Sequence, residues 1–216
     1  MMTPNKEDYL KIIFELGGTE HKVTNKQIMN SLQISAPSVS EMMSKLLKDD
    51  YIVHVPYKGV QLTEKGEKKA SILVRKHRLW EVFLVEKLEF PWNEVHEEAE
   101  VLEHVTSREL ANKLDKFLDF PKTCPHGGVI PSDMGQFPEK NNLSLLNFGE
   151  LKDVRIKRVL DDKELLDYLS SLDIKVGQIY TVKEYGIYEG PITLEDNNEK
   201  KQISYKAASN IFVEEI

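Results

Sequence analysis

Within its first 62 residues the chain switches once from helical to strand periodicity, and that switch leaves few folds open to it. Tyr9, Ile12, Ile13 and Leu16 recur at helical spacing, and Gly17-Gly18 stops the run. Thr24 is placed to cap a short helix through Ile28, Met29 and Leu32. Ser35-Ala36-Pro37 opens the next helix. Pro37 suits its first turn, and Val39, Met43, Leu46 and Leu47 offer a buried face. After Asp49-Asp50 the pattern becomes Tyr51 to Val55, a turn at Pro56-Tyr57-Lys58-Gly59, and Val60-Gln61-Leu62. Helix, helix and hairpin in that order predict a winged helix-turn-helix.

A helix that enters the major groove of DNA needs short side chains near its start and cations at its flanks. Ser35, Pro37, Ser38 and Ser40 suit the first need, and Lys26, Lys45, Lys48 and Lys58 the second. The net charge of -7 argues against nucleic acid at long range, but its distribution removes the objection. Residues 1–72 carry 10 basic against 9 acidic side chains, so the acidic excess lies further along. A solvated face on a small helical domain is the competing reading of the same residues.

Thr63 begins a long helical pattern that reaches about Leu88. Pro91-Trp92 is expected to open another helix with Val95, Ala99, Leu102 and Val105 on one side, and a third follows from Ser107 to Leu118. These helices carry more apolar residues than a lone small domain covers, which predicts a dimer interface. Residues 119–142 hold five prolines and glycines up to Pro131, then Gly135 and Pro138, and read as an ordered loop followed by a linker. Beyond it, Val154 to Val159, Ile179 to Val182, Ile192 to Leu194, Gln202 to Tyr205 and Ile211 to Val213 read as short strands, with a helix from Lys163 to Ser171. That predicts a small β-barrel. The fold class is therefore mainly α with a small β part, divided at 1–72, 73–140 and 141–216. No apolar run approaches the length of a membrane span, and the start does not resemble a signal peptide, so a cytoplasmic location is expected. The single cysteine, Cys124, cannot form an internal disulfide.

The chemistry is concentrated on the central helices. His96, Glu100, Glu103 and His104 stand at i, i+4, i+7 and i+8 and share one helix face, opposite Val101 and Val105. Carboxylates and imidazoles so close need a neutralising cation, most simply a divalent metal. His77 and Glu81 stand at i and i+4 on the preceding helix, and Cys124-Pro125-His126 offers a thiolate and an imidazole in the loop. An ion-paired surface is the alternative for each pair alone. A lone Cys-x-His excludes a zinc ribbon, which needs a second cysteine pair.

Arg75 to Glu81 and Val95 to Val105 resemble, in this order behind a winged helix, the two metal-site motifs of the diphtheria toxin repressor family. The likeness covers the whole chain and is nearest to the manganese-responsive, three-domain (MntR-like) branch. It implies a winged helix, a helical dimerisation and metal-binding domain and a C-terminal SH3-like domain of the FeoA type. It also implies a primary metal site at Asp8, Glu100, Glu103 and His104. A secondary site is implied at Glu81, Cys124, His126 and Asp161, with Asp162 as the alternative aspartate, and ancillary ligands at His77 and His96. Short manganese regulators of the family carry glutamate where this chain has Lys11. Oxygen ligands at positions 8 and 100 favour a hard ion such as Mn(II), with Fe(II), Zn(II) or Cd(II) as others that bind in vitro.

The resemblance implies a homodimeric repressor, activated by Mn(II), that binds palindromic double-stranded DNA operators and controls manganese uptake genes. No membrane association is expected. The competing expectations are an Fe(II)-responsive repressor of the same family, a metal-dependent hydrolase with Glu81 or Glu103 as base, and a winged helix whose C-terminal barrel senses a small molecule or peptide. No zincin, serine-elbow or phosphate-loop motif supports the hydrolase.

Overall fold

The structure is a computed structural model that describes residues 3–55, 58–136, 143–149 and 151–216. Pro56 and Tyr57 of the expected turn, Pro138 and the expected boundary at 140/141 lie outside the described residues. The chain divides into two compact units, one from Met1–Trp80, Glu100–Phe117 and Ile130–Phe137, the other from Glu81–Ala99, Leu118–Val129 and Pro138–Ile216. Among the described residues no helix is long and apolar enough to cross a membrane.

In the first unit α1 (Pro4–Glu15), α2 (Asn25–Leu32) and α3 (Ala36–Lys48) precede the hairpin β1 (Ile52–Val55) and β2 (Gly59–Leu62). Each helix start has a local cause. Thr24 and Gln27 form a reciprocal capping box, and Ser35 accepts from the Ser38 amide with proline in the first turn of α3. Gln33, left-handed at φ 52°, ends α2 and turns the chain toward α3. β1 and β2 pair antiparallel with Val55 opposite Gly59, while Val23 bridges Val60 from the other side. Gly59 has φ +112°, and a Cβ there would stand 2.2 Å from the Val23 carbonyl oxygen, so no other residue fits.

Tyr9, Leu10, Ile13, Phe14, Ile28, Val39, Leu46 and Ile52 anchor the core of this unit. In α3 the buried face includes Met42, and Leu47 is exposed, contrary to the expectation from spacing. The stripe runs through positions 39, 42, 43 and 46, which turns position 47 outward. The unit also holds α4 (Glu64–Leu88) as far as Trp80, the Glu100–Val105 part of α5 (His96–Val105), and α6 (Arg108–Phe117). Thr63 Oγ1 accepts from the Gly66 amide at 3.1 Å and so caps α4.

In the second unit α7 (Leu145–Phe148), β3 (Asp153–Val159), α8 (Lys163–Ser171), β4 (Ile179–Tyr185), β5 (Ile192–Asp196), β6 (Glu199–Ile203), α9 (Tyr205–Ala208) and β7 (Ile211–Glu215) follow in order. The five strands form one antiparallel sheet, β6-β5-β4-β3-β7, bent by register shifts at Ile156/Arg158 and Val182/Glu184. Its core is built from Val154, Ile156, Leu166, Leu169, Tyr180, Leu194 and Ile211.

Two expectations are corrected in this unit, and one short helix is added. Tyr205 is helical, because Ser204 accepts from the Ala207 amide and starts α9 where a strand was expected to continue. The short α7, capped by Ser144, has too few residues to show a period in the sequence. The helix expected from Pro91 begins only at His96. Trp92 Nε1 donates to Ser170 Oγ at 2.9 Å and Asn93 to Asp167 at 2.7 Å, so the preceding turn satisfies its polar groups outside a helix.

Candidate metal centres

Helix α5 departs from ordinary amphipathicity at one carboxylate, Glu103, while Glu97, Glu98 and Glu100 stay exposed. Glu103 is fully buried, while Val101 and Val105 are 68% and 78% exposed, so Val105 does not join Val95 and Ala99 on a buried side. A helix that turns a carboxylate inward and valines outward is not following the hydrophobic effect alone. The buried charge requires partners.

Those partners come from α1 and α4. One ligand atom each from Asp8, Glu103 and His104 lies within 4.8 Å of the others. His104 stands between two α1 carboxylates, with Nδ1 2.8 Å from Glu7 and Nε2 2.9 Å from Asp8 Oδ1. Asp8 Oδ1 is buried and makes no hydrogen bond, despite that closeness. Burial pushes the Asp8 carboxyl above its ordinary range; His104 opposes this, and Glu100 and Glu103 add to it. A buried oxygen without a donor beside a carboxylate and an imidazole is a donor set suited to a divalent cation, so the residues fit the group that the sequence implies. Glu100 is half exposed at the rim, with Oε1 3.9 Å from Lys11 Nζ.

Lys11 and Glu7 are site residues that the spacing rules did not single out as partners of this cluster. Lys11 is 4% exposed, donates to both Glu103 oxygens at 3.1 and 2.9 Å, and lies 3.1 Å from His77 Nδ1. His77 Nδ1 in turn meets Glu103 Oε2 at 2.5 Å. Burial alone would raise the Glu103 pKa, but the His77 hydrogen bond and the Lys11 charge hold it below the usual carboxylate value. The one signal in the sequence was position: Asp8 and Lys11, at i and i+3, share a face of α1.

A second cluster lies in the other unit. Ligand atoms of Glu81, Cys124 and His126 fall within 4.8 Å of one another, and all three residues are buried. His126 Nε2 donates to the Trp92 carbonyl oxygen at 2.7 Å, which leaves Nδ1 facing Glu81 Oε1 at 3.0 Å and Asp161 Oδ1 at 3.6 Å. Nδ1 is buried and makes no well-aligned hydrogen bond with either oxygen. Burial of the ring pushes its pKa down, but the Glu81 carboxylate, the Cys124 side chain and Asp161 reverse this and hold it up at about 12. Thiolate, imidazole and carboxylate together also fit a divalent ion, and a softer one than the first cluster does.

The loop that carries Cys124 and His126 is locked by its backbone. Cys124 N donates to Gly128 O and Gly127 N to Cys124 O, both at 2.9 Å, and Val159 N donates to His126 O at 2.9 Å. Of the two aspartates, Asp162 is occupied as the cap of α8, accepting from Leu165 N at 2.9 Å. Asp161 faces the cluster instead, and its Oδ2 meets His96 Nδ1 at 2.7 Å.

The residues proposed for DNA contact gather on α2, α3 and the hairpin. Lys26, Ser35, Pro37, Ser38, Ser40, Lys45, Lys48 and Lys58 are all exposed. Ser35 is partly committed, because it caps α3 and its Oγ lies 2.8 Å from Ser38 Oγ. Lys45 pairs with Glu41 at 2.7 Å on the exposed face.

Three family profiles match successive parts of the chain. The iron dependent repressor N-terminal DNA binding domain matches residues 1–60, the iron dependent repressor metal binding and dimerisation domain 63–132, and the FeoA domain 143–215. The iron-dependent repressor IdeR of Mycobacterium leprae is 36% identical over 149 residues, 67% of this chain; the match spans 65% of the length of that relative. The diphtheria toxin repressor of Corynebacterium efficiens is 31% identical over 193 residues, 83% of this chain and 84% of the relative. Among solved structures, the manganese regulator SloR superposes with a TM-score of 0.89 at 45% identity, each chain covered in full. ScaR with bound Zn2+ superposes with a TM-score of 0.89 at 43% identity, over 98% of this chain and 100% of that one.

Proposed function

Because the chain belongs to the diphtheria toxin repressor family, a family of DNA-binding repressors and not of enzymes, we propose that it is a homodimeric, metal-activated transcriptional repressor. The observation that carries this reading is the convergence of Asp8 from α1 with Glu103 and His104 from α5 in one cluster. Asp8 belongs to the segment that ends in the DNA-contacting helix α3, so an ion held by these three residues ties that segment to α5. Asp8, Glu103 and His104 would hold it, with Glu100 at the rim. The ion supplies positive charge that the clustered carboxylates otherwise lack.

Activation then follows from linkage: an ion that binds the DNA-competent arrangement better than others increases its population by that difference in affinity. The DNA is a palindromic duplex operator, read by Ser38, Ser40 and Pro37 near the start of α3 and gripped at phosphates by Lys26, Lys45, Lys48 and Lys58. Exposed Val101, Val105, Leu110 and Phe117 on α5 and α6 support a second copy as the partner that covers them. We retain 1–72, 73–140 and 141–216 as the domains, and a cytoplasmic location.

We assign Mn(II) as the activating ion and manganese uptake genes as the targets. Oxygen donors at Asp8, Glu100 and Glu103 support a hard ion, as does the likeness to the manganese regulator SloR. The likeness to IdeR keeps an Fe(II)-responsive repressor as the second reading. Glu81, Cys124, His126 and Asp161 form the second metal centre in this reading.

The test is a titration of a palindromic operator with Mn(II), with Fe(II) under exclusion of air, and with chelator. Asp8→Ala is expected to lose the metal-dependent gain in operator affinity while its second centre still takes up metal. Equal operator affinity in Mn(II) and in chelator for the unaltered protein overturns the switch.

A further inference from the structure

Asp161 divides its two oxygens between two histidines. Oδ2 meets His96 Nδ1 at 2.7 Å, and Oδ1 faces His126 Nδ1 at 3.6 Å. The backbone around it is already fixed, since Leu160 N donates to Asn210 O at 2.9 Å, Asp162 N to Leu160 O at 3.0 Å, and the Asp162 side chain caps α8. What that backbone leaves open is the rotation of the Asp161 carboxylate, and the His96 contact bears on it directly.

We propose that His96 is a positioning residue for the second centre and not one of its ligands. Its Nδ1–H holds Oδ2 of Asp161 and aims Oδ1 at the space bounded by Glu81, Cys124 and His126. The same device acts on the opposite side, where the Trp92 carbonyl takes the Nε2 proton of His126 and leaves Nδ1 as the inward donor. Two ligands of the centre are thus each met from outside by a hydrogen bond. Metal ligands are commonly oriented in this way, and loss of such an outer partner typically costs about 10–100-fold in metal affinity. The ligand set that results is two carboxylates, a thiolate and an imidazole. His96, with its side chain 31% exposed, has a ring nitrogen within 4.8 Å of oxygens of Glu81 and Asp161, and its Nδ1–H is given to Asp161.

This inference rests on the second cluster being a metal centre, and the experiment separates the two. Cys124 is the single cysteine, so thiolate-to-Cd(II) charge-transfer absorption reports occupancy of this centre alone and is silent to the first cluster. Cd(II) affinity is measured by that absorption in the full chain and in His96→Ala, His96→Asn, Asp161→Ala and the double variant His96→Ala/Asp161→Ala.

A positioning role predicts a loss of about 10–100-fold for His96→Ala. It also predicts recovery to within a few-fold for His96→Asn, which keeps a donor at that place, and no further loss when His96→Ala is added to Asp161→Ala. Losses that multiply in the double variant, an asparagine variant as weak as alanine, or no loss for His96→Ala overturns it. Absence of the thiolate absorption in the unaltered protein at saturating Cd(II) overturns the metal reading of the cluster itself, and this inference with it.

Discussion

Lys11 Nζ lies 2.9 Å from Oε2 and 3.1 Å from Oε1 of Glu103, with both side chains buried. An ammonium therefore already compensates a carboxylate that the proposed function gives to a metal ion. In that proposal Glu103 serves two cations, one covalently tethered to α1 and one exchangeable. A buried pair of this kind adds little over apolar packing, yet losing one partner strands the other's charge.

Replacing Lys11 by methionine, similar in length and uncharged, is expected to destabilise the metal-free protein by about 3–5 kcal/mol, because Glu103 then loses its ammonium partner and keeps the imidazoles of His77 and His104. Saturating Mn(II) supplies the missing charge and is expected to recover much of that loss. Thermal melts of both proteins in chelator and in Mn(II) measure this. An equal deficit in both conditions shows that Glu103 does not meet the ion.

The same pair fixes a pH window for the metal-free protein. Burial would lower the Lys11 pKa, but Glu103, with Glu15 and Glu100 adding to it, more than reverses this and raises it above 10.5, while Glu103 itself is held below 4.5. A depressed carboxylate contributes stability that is full above 4.5 and is lost as pH falls through its folded value. A raised lysine contributes stability that is full below 10.5 and is lost as pH rises through its folded value. Denaturant melts across pH are expected to show the difference between the unaltered protein and Lys11→Met at its largest between about 5 and 10, shrinking on either side. A difference that peaks outside that range contradicts the pairing.

At the second centre the His126 pKa of about 12 means that the ring is protonated at neutral pH without metal. A metal ligand must be deprotonated, so loading displaces at least that proton. Cd(II) affinity read from thiolate absorption is expected to fall at least about tenfold for each unit that pH drops between 8 and 6. Calorimetry in buffers of different ionisation enthalpy is expected to report proton release. A pH-independent affinity rules His126 out as a ligand.

Gly127 stands at φ +78°, and a Cβ there would meet the Lys157 carbonyl oxygen at 2.0 Å. Gly127→Ala is expected to cost about 2 kcal/mol or more and to weaken Cd(II) binding, since the loop must leave β3 and carry Cys124 and His126 with it. Operator binding driven by the first cluster is expected to be affected far less. Retention of full Cd(II) affinity in this variant removes the loop from the site.

Local features of the fold were legible because their causes are local. The cap at Thr24, the proline at the start of α3 and the buried positions 39, 43 and 46 act within one or two turns. Where a distant partner intervened, the reading failed. Trp92 and Asn93 form a turn instead of a helix because Ser170 and Asp167 meet them, across 78 and 74 residues. Of the site, Glu103 and His104 stood out by spacing on one helix. The approach of Lys11 to Glu103 did not, since 92 residues separate them.

By itself the sequence determined the longer helices, the caps at Thr24, Ser35 and Thr63, the hairpin and the candidate metal-binding residues, because periodicity, capping and donor chemistry are properties of short segments. Only the tertiary structure decided which donors face one another: that Asp161 and not Asp162 turns toward His126, that Lys11 takes hold of Glu103, and that α5 buries Glu103 and leaves Val101 and Val105 to solvent. The physical reason is that burial and charge pairing act through space. Their partners are set by packing between segments far apart in the chain, and no period within one segment records them.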